Sequence, residues 1–205
     1  NIYAGLGVTT GDAEVWRYDG STWSQIGGDG IASSWSSAAH EAVQSLHYLG
    51  GTLYAGLANG TGDGDLWAYN GSTWSQVGGD GVNSSWASAN DVMAMTDDGT
   101  SLYVGIALSG SEVWRLTSGT WTRVAGNLVN GYVNNVGMST ILYTNSKLYV
   151  GNGAGGNGYG AEFSEWPGSG NWSTIGGRGR NNSWVGTGAT DVTASTVHDG
   201  KAYFG

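Results

Sequence analysis

Cysteine is absent from the 205 residues, which excludes a disulfide scaffold, a thiolate metal site and a cysteine nucleophile together. Charge is scarce as well: 11% of the chain is Asp, Glu, Lys or Arg, yet 16 acidic residues against seven basic ones leave a net charge of -9. The five Arg and two Lys are scattered, with no basic stripe to neutralise phosphates, so nucleic acid and anionic membrane surfaces are poor partners. No apolar run approaches the 18 residues of a membrane helix, and no membrane insertion is expected. No segment of ten residues carries helical periodicity, so no helix is expected.

Proline occurs once, whereas Gly occurs 39 times and Trp 11 times. That combination suits short strands joined by tight turns, with large aromatic anchors. The stretch from Leu53 to Asn90 is the unit from which the rest is copied. GSTWSQIGGDGIASSW at 20 to 35 answers GSTWSQVGGDGVNSSW at 71 to 86. Two looser copies begin at Leu102 and Leu148, and a fifth begins at Ala202. Trp23, Trp74, Trp121 and Trp172 recur at steps of 51, 47 and 51 residues, inside the window of repeat architectures. The chain reads as one repeat domain, with copies near 1-51, 52-100, 101-146 and 147-199 and a partial one at 200-205.

Each copy contains four strand-like segments. Strand b carries Tyr3, Tyr54, Tyr103, Tyr149 or Tyr203; strand c is EVWRY, DLWAY, EVWRL or EFSEW; strand d is TWSQI, TWSQV, TWTRV or NWSTI; strand a begins at residue 42, 91, 137 or 191. Asp-Gly and Asn-Gly pairs supply tight hairpin turns between c and d, while the b to c and d to a connections are long and Gly-rich. In an up-and-down meander both long connections fall at one end of the sheet. Four-stranded antiparallel units of about 50 residues that cannot bury their own aromatics predict an all-β chain, a β-propeller of about four blades with one surplus strand. The surplus strand b at 201 to 205 competes with Ile2-Gly5, which predicts a segment of a larger ring or self-association through free strand edges.

The segments Y-D-G-S-T-W (18 to 23), Y-N-G-S-T-W (69 to 74) and T-S-G-T-W (117 to 121) resemble the Asp-box hairpin of sialidase-like propellers, and the strand pattern resembles kelch and tachylectin-like lectin propellers in outline. The resemblance implies a fold and no catalytic residue; Asp19 is expected to cap its own hairpin.

The loop end gathers three recurring positions. An acid opens strand c (Glu14, Asp65, Glu112, Glu162); a polar residue follows the Gly pair after strand d (Asp29, Asp80, Asn127, Arg178); an aromatic comes five or six residues later (Trp35, Trp86, Tyr132, Trp184). Carboxylates beside an aromatic face suit a pyranose, and a repeat displays several such sites. Opposed to this, each aromatic could simply fold its loop back over the blades and each acid could hold backbone N-H groups. The expectation is a glycan-binding, lectin-like module of a secreted or cell-surface protein that is not an enzyme; a structural or self-assembly module stands second and a glycoside-processing enzyme third. A glycosidase pair would be found in one blade only, whereas these acids recur. GNGAGG at 151 to 156 precedes a strand instead of the helix a dinucleotide site needs, and Asp63-Gly64-Asp65 lacks EF-hand spacing. No cofactor, metal site or catalytic residue is expected.

Overall fold

The computed structural model describes the chain except residues 37-39, 59-63, 90, 108-109, 127, 133-136, 154-160, 178 and 185-190. It is an all-β chain of β-propeller blades. The first copy forms β1 (Ile2–Leu6), β2 (Glu14–Tyr18) and β3 (Trp23–Gly27), paired in that order. The next blades are β4 (Ala42–Leu49), β5 (Thr52–Ala58), β6 (Leu66–Tyr69) and β7 (Trp74–Gly78), then β8 (Asp91–Asp97), β9 (Leu102–Ala107), β10 (Glu112–Thr117) and β11 (Thr120–Ala125). These are followed by β12 (Met138–Thr144), β13 (Lys147–Asn152), β14 (Glu162–Trp166) and β15 (Ser173–Gly176), and by the hairpin β16 (Ser195–His198) and β17 (Lys201–Phe204). Within each blade neighbours in sequence are neighbours in the sheet, and the described strand pairings are antiparallel. Among the described residues the helical content is three short 3-10 turns, Ile31–Ser33, Val82–Ser84 and Arg180–Asn182.

The chain divides into two compact units, residues 1-94 with 119-121, and residues 95-118 with 122-205. The first has its core in Val15, Ile26, Leu53, Ala55, Leu57 and Trp74. The second buries Val104, Ile106, Val113, Met138, Leu148 and Val150. These are the inward positions of the period-2 alternation, and β-branched side chains stand well on a pleated face.

Two devices hold one blade against the next. Glycine in strand b lets the following strand a approach: a Cβ on Gly56 would lie 2.5 Å from Val92 Cγ1, and one on Gly151 would lie 2.7 Å from Val192 Cγ1. The Trp that opens strand d crosses to the preceding copy. Trp74 Nε1 donates to the Ile26 carbonyl at 2.6 Å, Trp121 Nε1 to Val77 at 2.8 Å and Trp172 Nε1 to Val124 at 2.8 Å. The indole fills the crevice, and its one polar atom finds an acceptor.

The tight turns are made as their composition requires. Asp19 Oδ1 accepts hydrogen bonds from the N-H groups of Ser21 and Thr22, and Asn70 Oδ1 does the same for Ser72 and Thr73. In the corresponding place of an a to b turn, Asp98 accepts from Thr100, Ser101 and the Tyr103 hydroxyl.

Candidate functional site

The long d to a loops fold on a recurring rule that begins with the Gly pair after strand d. Ser34 Oγ accepts the Gly28 N-H at 2.9 Å, Ser85 Oγ that of Gly79 at 2.9 Å, and Ser183 Oγ that of Gly177 at 2.8 Å. The next residue is the loop aromatic, which therefore points back into the blade. Trp35 Nε1 donates to the Ala13 carbonyl, Trp86 Nε1 to Gly64 and Trp184 Nε1 to Ala161. Each inner aromatic meets the strand d Trp of the next copy edge-on: Trp35 on Trp74 at 5.3 Å, Trp86 on Trp121 at 5.2 Å and Tyr132 on Trp172 at 5.2 Å between ring centroids.

This changes the part expected of three site residues. Trp35, Trp86 and Tyr132 are buried, not stacking platforms open to a sugar. The physical reason is that the indole N-H and the apolar ring are both satisfied inside the blade, where each gains more than at the surface. Tyr132 differs in its polar contact, its hydroxyl donating to Asn152 Oδ1 at 2.9 Å, and burial pushes that phenol far up from its ordinary value. Trp184 alone of the four keeps a partly open ring.

The acids that open strand c are likewise turned to internal work. Glu14 Oε2 accepts from Trp16 Nε1 at 2.7 Å, and Glu112 accepts from Trp114 Nε1 at 2.8 Å and from Arg123 at 2.7 Å. Asp65 is buried 3.6 Å from His40. Glu162 is half-buried opposite Asn152 across the β13–β14 pairing. Of the described acids expected at the site, Asp29 and Asp80 stand exposed, both at left-handed φ, 54° and 51°. Their counterparts Asn127 and Arg178 lie outside the described residues, as does Asp63 of the Asp63-Gly64-Asp65 run.

A carboxylate pair that recurrence alone does not single out lies at the entry to two strands of the first unit. The Glu41 N-H donates to the Ala58 carbonyl at 2.9 Å, and Ala58 is also the register partner of Asp91. The two acids thus flank β5 at one end, one on each side. Strand neighbours are about 4.8 Å apart, so their backbones are separated by about 10 Å, with flexible carboxyls to reduce the gap. Asp91 is half-buried, and its carboxyl is raised above the ordinary carboxylate range, first by burial and then by the Glu41 charge. Recurrence hid the pair: Asp91 aligns with Ala42, Gly137 and Asp191, and Glu41 with Asn90, Val136 and Thr190. The two acids come from different copies, and Glu41 has no acidic counterpart in the others, whereas Asp91 recurs as Asp191. The signal available in the sequence was this departure from the repeat, since a site built once must break the pattern that builds the scaffold.

No protein-family model matches the chain, and no curated protein matches it by sequence. Solved structures do resemble it. A prolyl endopeptidase structure matches over 83% of this chain and 23% of its own length, at 12% identity and a TM-score of 0.50. The Bacteroides ovatus xyloglucan PUL protein GH43B matches over 84% and 37% of the two chains, at 16% identity and a TM-score of 0.45. A sialidase of Trypanosoma rangeli, in complex with sialic acid, matches over 71% and 25%, at 15% identity and a TM-score of 0.44. The chain therefore spans well under half the length of each, and the likeness is one of fold. It corrects one expectation. The chain was expected not to be an enzyme, but the prolyl endopeptidase that it resembles in fold is one, so the fold gives no ground for that expectation.

Proposed function

We propose that this chain is a glycan-directed β-propeller of a secreted or cell-surface protein, and that it processes glycosidic bonds at Glu41 and Asp91. The observation that carries the reading is the pair itself: two carboxylates flanking Ala58, one of them raised by burial and by the charge of the other. Glycoside hydrolysis needs two carboxyl groups in different protonation states, separated by about 5 to 10 Å. Asp91, the raised one, is the general acid that protonates the leaving oxygen. Glu41 is the base or nucleophile on the opposite side. The exposed Asp29 and Asp80, held at equivalent turns of successive copies, are acceptors for sugar hydroxyls. The Asx turns at Asp19 and Asn70 agree with an Asp-box reading of the c to d hairpins and serve the scaffold.

The test is hydrolysis of a panel of aryl glycosides and plant, fungal and host oligosaccharides, run beside a glycan array. The reading expects turnover that falls by at least about 100-fold in Asp91→Asn and in Glu41→Gln, while glycan binding persists in both. Absence of turnover across the panel, or turnover untouched by both substitutions, overturns it.

A further inference from the structure

Strand c opens on an acid in every copy, and in the first and third copies that acid serves its own strand. Trp16 Nε1 donates to Glu14 Oε2 at 2.7 Å and Trp114 Nε1 to Glu112 Oε2 at 2.8 Å, each from two residues along. The second copy breaks the rule. Asp65, one methylene shorter, places its Oδ2 3.6 Å from His40 Nε2, with both side chains less than one-tenth exposed. The buried Nε1 of Trp67, in the place of Trp16 and Trp114, has no acceptor among the described residues. A buried donor left in this way is destabilising, and a Glu at position 65 would satisfy it.

His40 departs from the repeat as well, since its counterparts are Ala89, Asn135 and Ala189. The combination of this His with the strand c acid thus occurs once in the sequence, and it falls where three chain segments meet. The His40 carbonyl accepts the Gly11 N-H at 3.0 Å, and the next residue, Glu41, donates its N-H to Ala58 at 2.9 Å. Asp65 leads into β6, its carbonyl accepting the Leu57 N-H at 2.9 Å. Its neighbour Gly64 donates to the Ala89 carbonyl at 2.7 Å, two residues ahead of Asp91. His40 therefore belongs to the segment that bears Glu41, and Asp65 is fastened to the segment that bears Asp91.

We propose that His40 and Asp65 are a positioning pair, which sets the separation of the Glu41 and Asp91 carboxyls by clamping together the segments that bear them. The role rests on the reading of those two acids as a glycosidase pair. Neither His40 nor Asp65 is catalytic, because both are buried away from any sugar. Separation matters because carboxyls about 5 Å apart make one of them a nucleophile, whereas about 6.5 to 9.5 Å leaves room for a water. A pair that drifts between the two serves neither course. Asp91 responds to the Glu41 charge, so a change of spacing can be read in the protein without substrate.

Asp65→Glu separates positioning from stability. The longer acid restores the rule of the first and third copies, turning to Trp67 Nε1 and leaving His40. Glycine faces the acid in all three copies, at Gly28, Gly79 and Gly126, so the extra methylene is one that the fold already accepts. Tm is expected to hold or rise, while kcat falls at least about tenfold with KM within about twofold of the parent. His40→Ala is read in the same way, and His40→Gln, whose amide still donates to Asp65, is expected to lose less kcat. In carboxyl NMR titrations of the free protein, Asp91 is expected to move down toward its ordinary 3.8 in Asp65→Glu and in His40→Ala, as the acids separate. An Asp91 titration that matches the parent's in folded Asp65→Glu overturns the proposal, and so does an unchanged kcat where glycosides are turned over. A parent without turnover, whose Asp91 titration nevertheless shifts in both variants, sinks the glycosidase reading and leaves the positioning pair standing.

Discussion

The indole N-H of Trp74 is bonded to the carbonyl of Ile26, 2.6 Å away and 48 residues earlier in the chain, and its ring lies edge-on to Trp35. One side chain thereby closes a main-chain hydrogen bond, an aromatic pair and the crevice between two copies. The repeat of this contact explains why tryptophan is so abundant in a chain of such low charge.

Removing it is costly. Trp74→Ala is expected to lower the unfolding free energy by about 3 to 5 kcal/mol, the range for a buried large-to-small change. Trp74→Phe keeps the ring but leaves the Ile26 carbonyl without its donor, and is expected to cost about 1 to 3 kcal/mol. Urea unfolding curves give both. Trp23→Ala, its exposed counterpart, is expected to cost less than about 1 kcal/mol in the isolated chain.

Gly56→Ala tests the other blade contact. The added methyl would fall 2.5 Å from Val92 Cγ1 and 2.8 Å from Val92 Cβ, and overpacking of this kind costs about 1 to 3 kcal/mol. The double variant Gly56→Ala, Val92→Ala is expected to recover part of the loss relative to the sum of the two single changes. A double-mutant cycle measures that coupling.

Asp98 predicts an acid limb. Burial pushes its carboxyl up, but hydrogen bonds from Ser101, Thr100 and Tyr103 outweigh this and hold it down to about 2, from an ordinary 3.8. A group depressed in the folded state stabilises above its unfolded value, and that stabilisation is lost as pH falls through the folded one. Asp98→Asn is therefore expected to lower Tm at pH 7, with the difference from the parent chain shrinking between pH 4 and pH 2. Thermal unfolding followed by circular dichroism across that window checks it.

Asp91 has the opposite sign. Its carboxyl is raised by burial and by Glu41, so its protonated form favours folding, and this benefit disappears as pH rises through the folded value. Asp91→Asn is accordingly expected to raise Tm at neutral pH while abolishing glycoside turnover, the trade of stability for function seen where a charge is held in a costly place. A Tm that falls at pH 7 would count against the strain assigned to this carboxylate.

The strands, their turns and their grouping into blades follow from sequence. The tyrosines of strand b, the alternation of EVWRY and DLWAY, and the Asp-Gly and Asn-Gly turns act through short-range geometry, which neighbours in the chain set by themselves. β4 runs over residues 42 to 49, the span of strand a in the repeat. β16 runs from Ser195, and the ladder continues beyond it, Ala194 exchanging both backbone hydrogen bonds with Gly205, so the predicted strand a is recovered over most of its length.

What tertiary structure decided is the fate of side chains whose partners lie far along the chain. Trp35 and Trp86 stand in sequence like surface aromatics beside acids. They are buried because Ser34 and Ser85 turn their loops inward and because tryptophans about 40 residues later come to meet them. Glu41 and Asp91 are 50 residues apart, and Glu41 has no acidic counterpart in the repeat. They come together because β4 and β8 both pair with Ala58 of β5, a long-range arrangement that residue order records but local periodicity cannot reveal.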